Sequence, residues 1–137
     1  MLDRIKLLEG FIKEDPSDPF NYYALGLEYA KKDEHKALDI FKQLILDRGD
    51  YLPTYYQLAK LYEQVGQIKS AVNTYNEGIL IARQQKDFKT QQELMAGLEQ
   101  LNADWFYGER ALEKNEVYDQ RKDGILRHVV QGLIVLF

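Results

Sequence analysis

The stretch Tyr22-Tyr23-Ala24-Leu25-Gly26-Leu27-Glu28-Tyr29 returns 33 residues later as Tyr55-Tyr56-Gln57-Leu58-Ala59-Lys60-Leu61-Tyr62. A second pair follows it: Ala37, Phe41 and Leu44 are matched 34 residues on by Ala71, Tyr75 and Gly78. The change of interval falls between the two pairs, where Lys32-Asp33-Glu34-His35 is one residue shorter than Gln64-Val65-Gly66-Gln67-Ile68. A turn tolerates such an insertion and a helix interior does not. Self-similarity at a fixed period of this length is the mark of a repeat architecture, in which each copy is one supersecondary unit.

The spacing within each copy is helical. Positions 22, 25, 26 and 29, and likewise 55, 58, 59 and 62, follow the i, i+3, i+4, i+7 pattern that puts side chains on one face. Positions 37, 38, 41, 44 and 45, and their counterparts 71, 72, 75, 78 and 79, do the same on a second segment. Breakers separate the runs: Asp15-Pro16-Ser17-Asp18-Pro19, Arg48-Gly49-Asp50 and the two turns above. Each unit therefore reads as helix, tight turn, helix. Gly26 and Ala59 are small where the partner helix must come close, and Ala37 and Ala71 are small from the other side.

The pattern Tyr22-x-x-Leu25-Gly26-x-x-Tyr29 with Ala37-x-x-x-Phe41, repeated as Tyr55-x-x-Leu58-Ala59-x-x-Tyr62 with Ala71-x-x-x-Tyr75, resembles the tetratricopeptide repeat family. It departs from that family in Tyr for the usual Trp, and in Gly49 and Arg83 at places often held by Pro. The resemblance covers residues 1–101 or so and implies an all-α fold: tandem antiparallel helix-turn-helix units wound into a right-handed superhelix, with a C-terminal segment appended. On that scheme residues 1–102 form the repeat domain. Residues 1–15 supply a partial-repeat helix, 19–50 and 52–85 the two repeats, and 87–102 a capping helix whose polar face has nothing stacked on it. Residues 103–137 are an extension, expected to be helical, charged and then apolar.

The resemblance also implies a function: a non-catalytic scaffold that binds a peptide or helix on the concave wall formed by the first helix of each unit. Once the packing face has been removed, the residues left for that wall include Phe20, Tyr23, Leu27 and Lys31 from the first repeat. Tyr56, Gln57, Lys60 and Glu63 come from the second. Aromatic side chains are the usual material of binding hot spots, and Lys60 is placed to meet a carboxylate. The competing reading packs these side chains on the N-terminal helix or under the C-terminal segment. Family members that capture acidic chaperone tails use a clamp of Lys and Asn. Tyr23, Leu27, Gln57 and Lys60 occupy the corresponding places here, so such a clamp is not supported.

Composition narrows the classes. At 137 residues the chain is one domain or one domain with an appendage. The balance of 18 Lys+Arg against 22 Asp+Glu, net −4 and without a basic block, argues against nucleic acid as a partner. The absence of Cys excludes disulfides, thiol catalysis and Cys-based zinc sites. No apolar run approaches the length of a spanning helix, and the mixed charges of residues 1–16 do not read as a signal peptide. A cytoplasmic location is expected. His35 and His128 share no ligand spacing, Ser17 and Ser70 sit in no nucleophile motif, and no glycine run forms a phosphate-cradling loop. No enzyme, cofactor or metal is expected.

The last thirteen residues stand apart. Ile125, Val129, Leu133 and Phe137 recur every four, as do Leu126, Val130 and Ile134, leaving Arg127, His128 and Gln131 on the other side. The run reads as an amphipathic helix, though its β-branched residues also suit a strand. Four fates are open on sequence: docking on its own domain, homodimerisation through residues 125–137, lying on a membrane surface, or remaining disordered or foreign to the natural chain. The dimer reading makes self-assembly the alternative function.

Overall fold

The computed structural model describes residues 3–119, and six helices and no strands occur among them. Helices α1 (Arg4–Glu14), α2 (Pro19–Ala30), α3 (Glu34–Asp47), α4 (Pro53–Gln64) and α5 (Ile68–Gln84) precede a longer α6 (Phe88–Asp119). The chain divides into two compact units after Met95.

From α1 to α5 each helix packs on the next, with the tightest pairings inside the hairpins α2/α3 and α4/α5. Leu25 and Leu58 are buried, as the repeat pattern requires, and Ala37, Ala59 and Ala71 are sealed completely. Two core clusters join the first four helices. Ile5 and Leu8 of α1 meet Ala24 and Leu25 of α2, and Ala37, Leu38 and Phe41 of α3 meet Leu58 and Leu61 of α4. Gly26 is the close approach: a methyl there would stand 2.8 Å from Phe41 Cζ, so only glycine lets α2 and α3 pack at this distance. Gly78 plays the same part in the second hairpin, where a methyl would lie 2.7 Å from Tyr55 Cβ.

Local chemistry sets the helix ends. Asp3, Asp18 and Asp33 each accept a backbone N–H from the first turn of α1, α2 and α3, and Asp87 does so for α6 through Thr90 at 3.1 Å. Side-chain oxygens there satisfy amides that have no partner inside the helix. Pro19 and Pro53 open α2 and α4, where a missing N–H costs nothing. Helices α4 and α5 end in the same motif: Gln67 N–H reaches Tyr62 O at 2.9 Å and Asp87 N–H reaches Ala82 O at 2.9 Å. The left-handed position is Gly66 in the first (φ 80°) and Lys86 in the second (φ 60°).

The repeat extends to hydrogen bonds. Tyr22 Oη donates to Pro16 O at 2.9 Å, and Tyr55 Oη donates to Gly49 O at 2.6 Å, each six residues back. Beyond the end of α3, Arg48 donates to Ser17 O at 3.3 Å. Beyond the end of α5, Gln85 donates to Asp50 O at 2.6 Å, the equivalent carbonyl one repeat later. Both bonds tie the close of a hairpin to the loop that opens it.

Helix α6 runs without a break through residue 102, where the sequence suggests a boundary between cap and extension. No proline interrupts it. His35, expected in a turn, lies in the first turn of α3, because Asp33 caps the helix just ahead of it. Among the described residues no helix is long and apolar enough to cross a membrane. The apolar run 125–137, with the dimer reading attached to it, lies outside the described residues.

Candidate functional site: a groove along α2 and α4

A groove of about 470 Å³ lies along the inward faces of α2 and α4, with Arg4 of α1 at its edge. Its walls follow from helical register. With Tyr22, Leu25, Gly26 and Tyr29 committed to packing, Phe20, Tyr23, Leu27 and Lys31 are turned to the other side of α2, and all four line the groove. Gln57 and Lys60 of α4 line it opposite them. Six of the eight residues singled out from sequence are thus brought together.

Tyr56 and Glu63 stand beside the lining. The Tyr56 ring meets Tyr75 of α5 edge-on, centroids 6.4 Å apart. Glu63 accepts the Tyr75 hydroxyl at 2.6 Å. Lys60 joins them to the groove: its Nζ is 3.6 Å from Glu63 Oε2 and 5.7 Å from the centre of the Tyr56 ring. Tyr75 is fully buried, and that burial, followed by the Glu63 carboxylate, pushes its hydroxyl well above the ordinary tyrosine range. It remains a donor at any physiological pH.

The floor is aromatic. Tyr23 was expected to lie on a face the hairpin does not use, yet its ring also packs, 6.2 Å from Phe41 and 5.8 Å from Tyr51. Burial raises the Tyr23 hydroxyl, with Gln57 pulling the other way. Phe20 keeps 56% of its surface exposed at the rim. The floor is preformed, while the rim leaves apolar surface for something to cover.

Two charged lining residues escape the sequence reading. Arg4 comes from α1, and Glu28 meets it: Arg4 Nε donates to Glu28 Oε1 at 2.7 Å, and Lys31 Nζ lies 3.3 Å from the same oxygen. The Glu28/Lys31 pair has helical spacing and was visible in principle. The Arg4 contact depends on how α1 docks across 24 residues of sequence, which no local pattern reports. A larger groove of about 1190 Å³ lies on the outer side between α1 and α3, floored by Tyr22 and Leu25. Its charges are mixed, among them Glu9, Lys13, Asp39 and Arg48. Among the described residues, no group of three His, Asp or Glu is arranged to hold a metal ion.

Stacked α-hairpins with a groove along their leading helices define a helical-repeat protein. Solved structures bear directly on which one. The solution NMR structure of a tetratricopeptide repeat domain protein from Salinibacter ruber is 39% identical, covering 65% of this chain and 91% of its own, with a TM-score of 0.62. A crystal structure of a Salinibacter ruber tetratricopeptide repeat domain protein is 37% identical, covering 62% of this chain and 97% of its own, with a TM-score of 0.59. The crystal structure of MamA is 25% identical over 85% of this chain and 69% of its own, at a TM-score of 0.53. No protein-family model and no curated protein matches the chain. The chain belongs to the tetratricopeptide repeat family. That membership supports a protein-interaction scaffold in general terms, and proteins of this repeat type are typically non-catalytic.

Proposed function

We propose that the chain is a non-catalytic scaffold that holds a peptide or helix of a partner protein in the groove along α2 and α4. The observation that carries this reading is the convergence of Phe20, Tyr23, Leu27, Lys31, Gln57 and Lys60 on one concave lining. An aromatic floor, an exposed apolar rim and a few cations are what a peptide needs for anchoring and orientation. A cytoplasmic setting suits a chain without cysteine. In the test, Phe20→Ser and Lys60→Ala are compared with Ile40→Ser on the outer groove. Partner capture from native extract is expected to fall with the first two and persist with the third. Capture that survives both groove substitutions contradicts the reading.

Self-association through residues 125–137 is the second reading. Residues 120–137 hold three of the 18 basic residues and one of the 22 acidic ones, a net +2 against −6 for the rest of the chain. An apolar segment of opposite sign suits a second copy. Light scattering on the full chain should give a multimer that Leu133→Asp reduces to monomer; a monomeric parent chain removes this reading.

A further inference from the structure

The groove along α2 and α4 carries four charged side chains: the cations Arg4, Lys31 and Lys60, and the single carboxylate Glu28. The whole chain is net −4, so the groove reverses the sign of the molecule around it. Glu28 is 16% exposed at its side chain, whereas Arg4 and Lys31 are 63% and 70% exposed. The carboxylate belongs to the wall, and the two cations fold down onto it from the rim. Among the described residues its side-chain hydrogen bonds go to those two cations. Glu63 next to Lys60 differs, because the buried Tyr75 hydroxyl holds it from behind.

We propose that Glu28 is an internal stand-in for a ligand carboxylate, and that the groove takes an apolar peptide segment flanked by acidic side chains, which displace Glu28 from Arg4 and Lys31. The inference rests on the groove being the binding site and adds the chemistry of what enters it. Exchanging one carboxylate for another keeps both cations paired, so little Coulomb energy is lost on entry. The gain comes from apolar side chains covering Phe20, Tyr23 and Leu27. The cations then select by sign: a basic segment cannot take the place of Glu28 and gains no pairing from Arg4 or Lys31. The Arg4 hydrogen bond, as the leading cause, holds the Glu28 carboxyl below the usual glutamate range, so the stand-in is charged at neutral pH.

The test uses the full chain and three end-capped, fluorescently labelled peptides of one apolar frame, flanked by Asp/Glu, by Asn/Gln or by Lys, read by anisotropy. The acidic peptide is expected to bind tightest and the basic one weakest. The preference should collapse as ionic strength rises from about 50 mM to about 500 mM. Lys31→Gln and Arg4→Gln are each expected to weaken the acidic peptide about two- to fivefold, the scale of one exposed ion pair. Glu28→Gln is expected to tighten it by a similar factor, the opposite of what a merely structural Glu28 would do, with a thermal melt confirming the fold. Equal binding of all three peptides, or weaker binding by a folded Glu28→Gln chain, overturns the proposal. If binding is charge-blind yet lost on Phe20→Ser, the chemistry fails while the groove stands. If no peptide binds, or Phe20→Ser leaves binding intact, the groove reading fails with it.

Discussion

Gly26 and Gly10 are both helical glycines with opposite reasons for being there. A methyl at Gly26 meets the Phe41 ring, whereas at Gly10 nothing lies within 4 Å. Gly26→Ala is therefore expected to destabilise by about 1–3 kcal/mol through overpacking. Gly10→Ala should stabilise by about 0.5–1 kcal/mol by restricting the unfolded chain. Urea unfolding of the two variants checks both signs, and equal effects would contradict the packing account. Lys86 is a third case: a non-glycine residue at φ 60° closing α5. Lys86→Gly is expected to stabilise by about 1 kcal/mol, read as a higher melting temperature. The Gly26 contact was legible, because the sequence puts a small residue opposite an aromatic in each repeat. The Lys86 conformation was not, since lysine in a polar loop carries no signal of left-handed backbone.

At the scale of the element, each helix start is pinned by an aspartate or a proline where the sequence supplies one. Asp87 shows how this depends on pH. The Thr90 backbone N–H, then its hydroxyl, hold the Asp87 carboxyl below the ordinary aspartate value. A carboxyl depressed in the folded state contributes stability that is complete above its unfolded pKa and is lost as the pH falls through the folded one. The chain should accordingly lose stability below about pH 4, and Asp87→Asn should flatten part of that loss in thermal melts taken across the range. A melting temperature indifferent to acid would contradict the capping geometry. Helix existence was readable from periodicity, since Tyr22, Leu25, Gly26 and Tyr29 leave little choice of face. The ties between hairpin end and loop, Arg48 to Ser17 O and Gln85 to Asp50 O, were not readable. They join different residue types, so only the backbone position repeats. The sequence marks residue 102 as the end of the cap and reads the extension after it as helical; Phe88–Asp119, which contains no proline, carries the cap and the start of the extension as one helix.

For the molecule as a whole, two grooves compete as recognition surfaces, and volume alone favours the wrong one for the function proposed. The outer groove is larger, about 1190 Å³ against 470 Å³. Yet its wall mixes both signs, and several of its polar groups are already engaged: Asp33 caps α3, Asp47 takes the Gln43 amide, and Arg48 pairs with Asp50. The inner groove has an aromatic floor, and its three cations outnumber its one lining carboxylate. Sequence found its central residues because α2 and α4 each present one unspent face. It missed Arg4 and Glu28 because their meeting is a property of α1 docking on α2. The most direct test of the whole account is an amide chemical-shift map of the full chain titrated with the acidic, apolar peptide. The account predicts that shifts concentrate at Phe20, Tyr23, Leu27 and Lys31 of α2 and at Gln57 and Lys60 of α4. Shifts concentrated instead at Ile12, Ile40, Gln43 and Leu44 of the outer groove would contradict it.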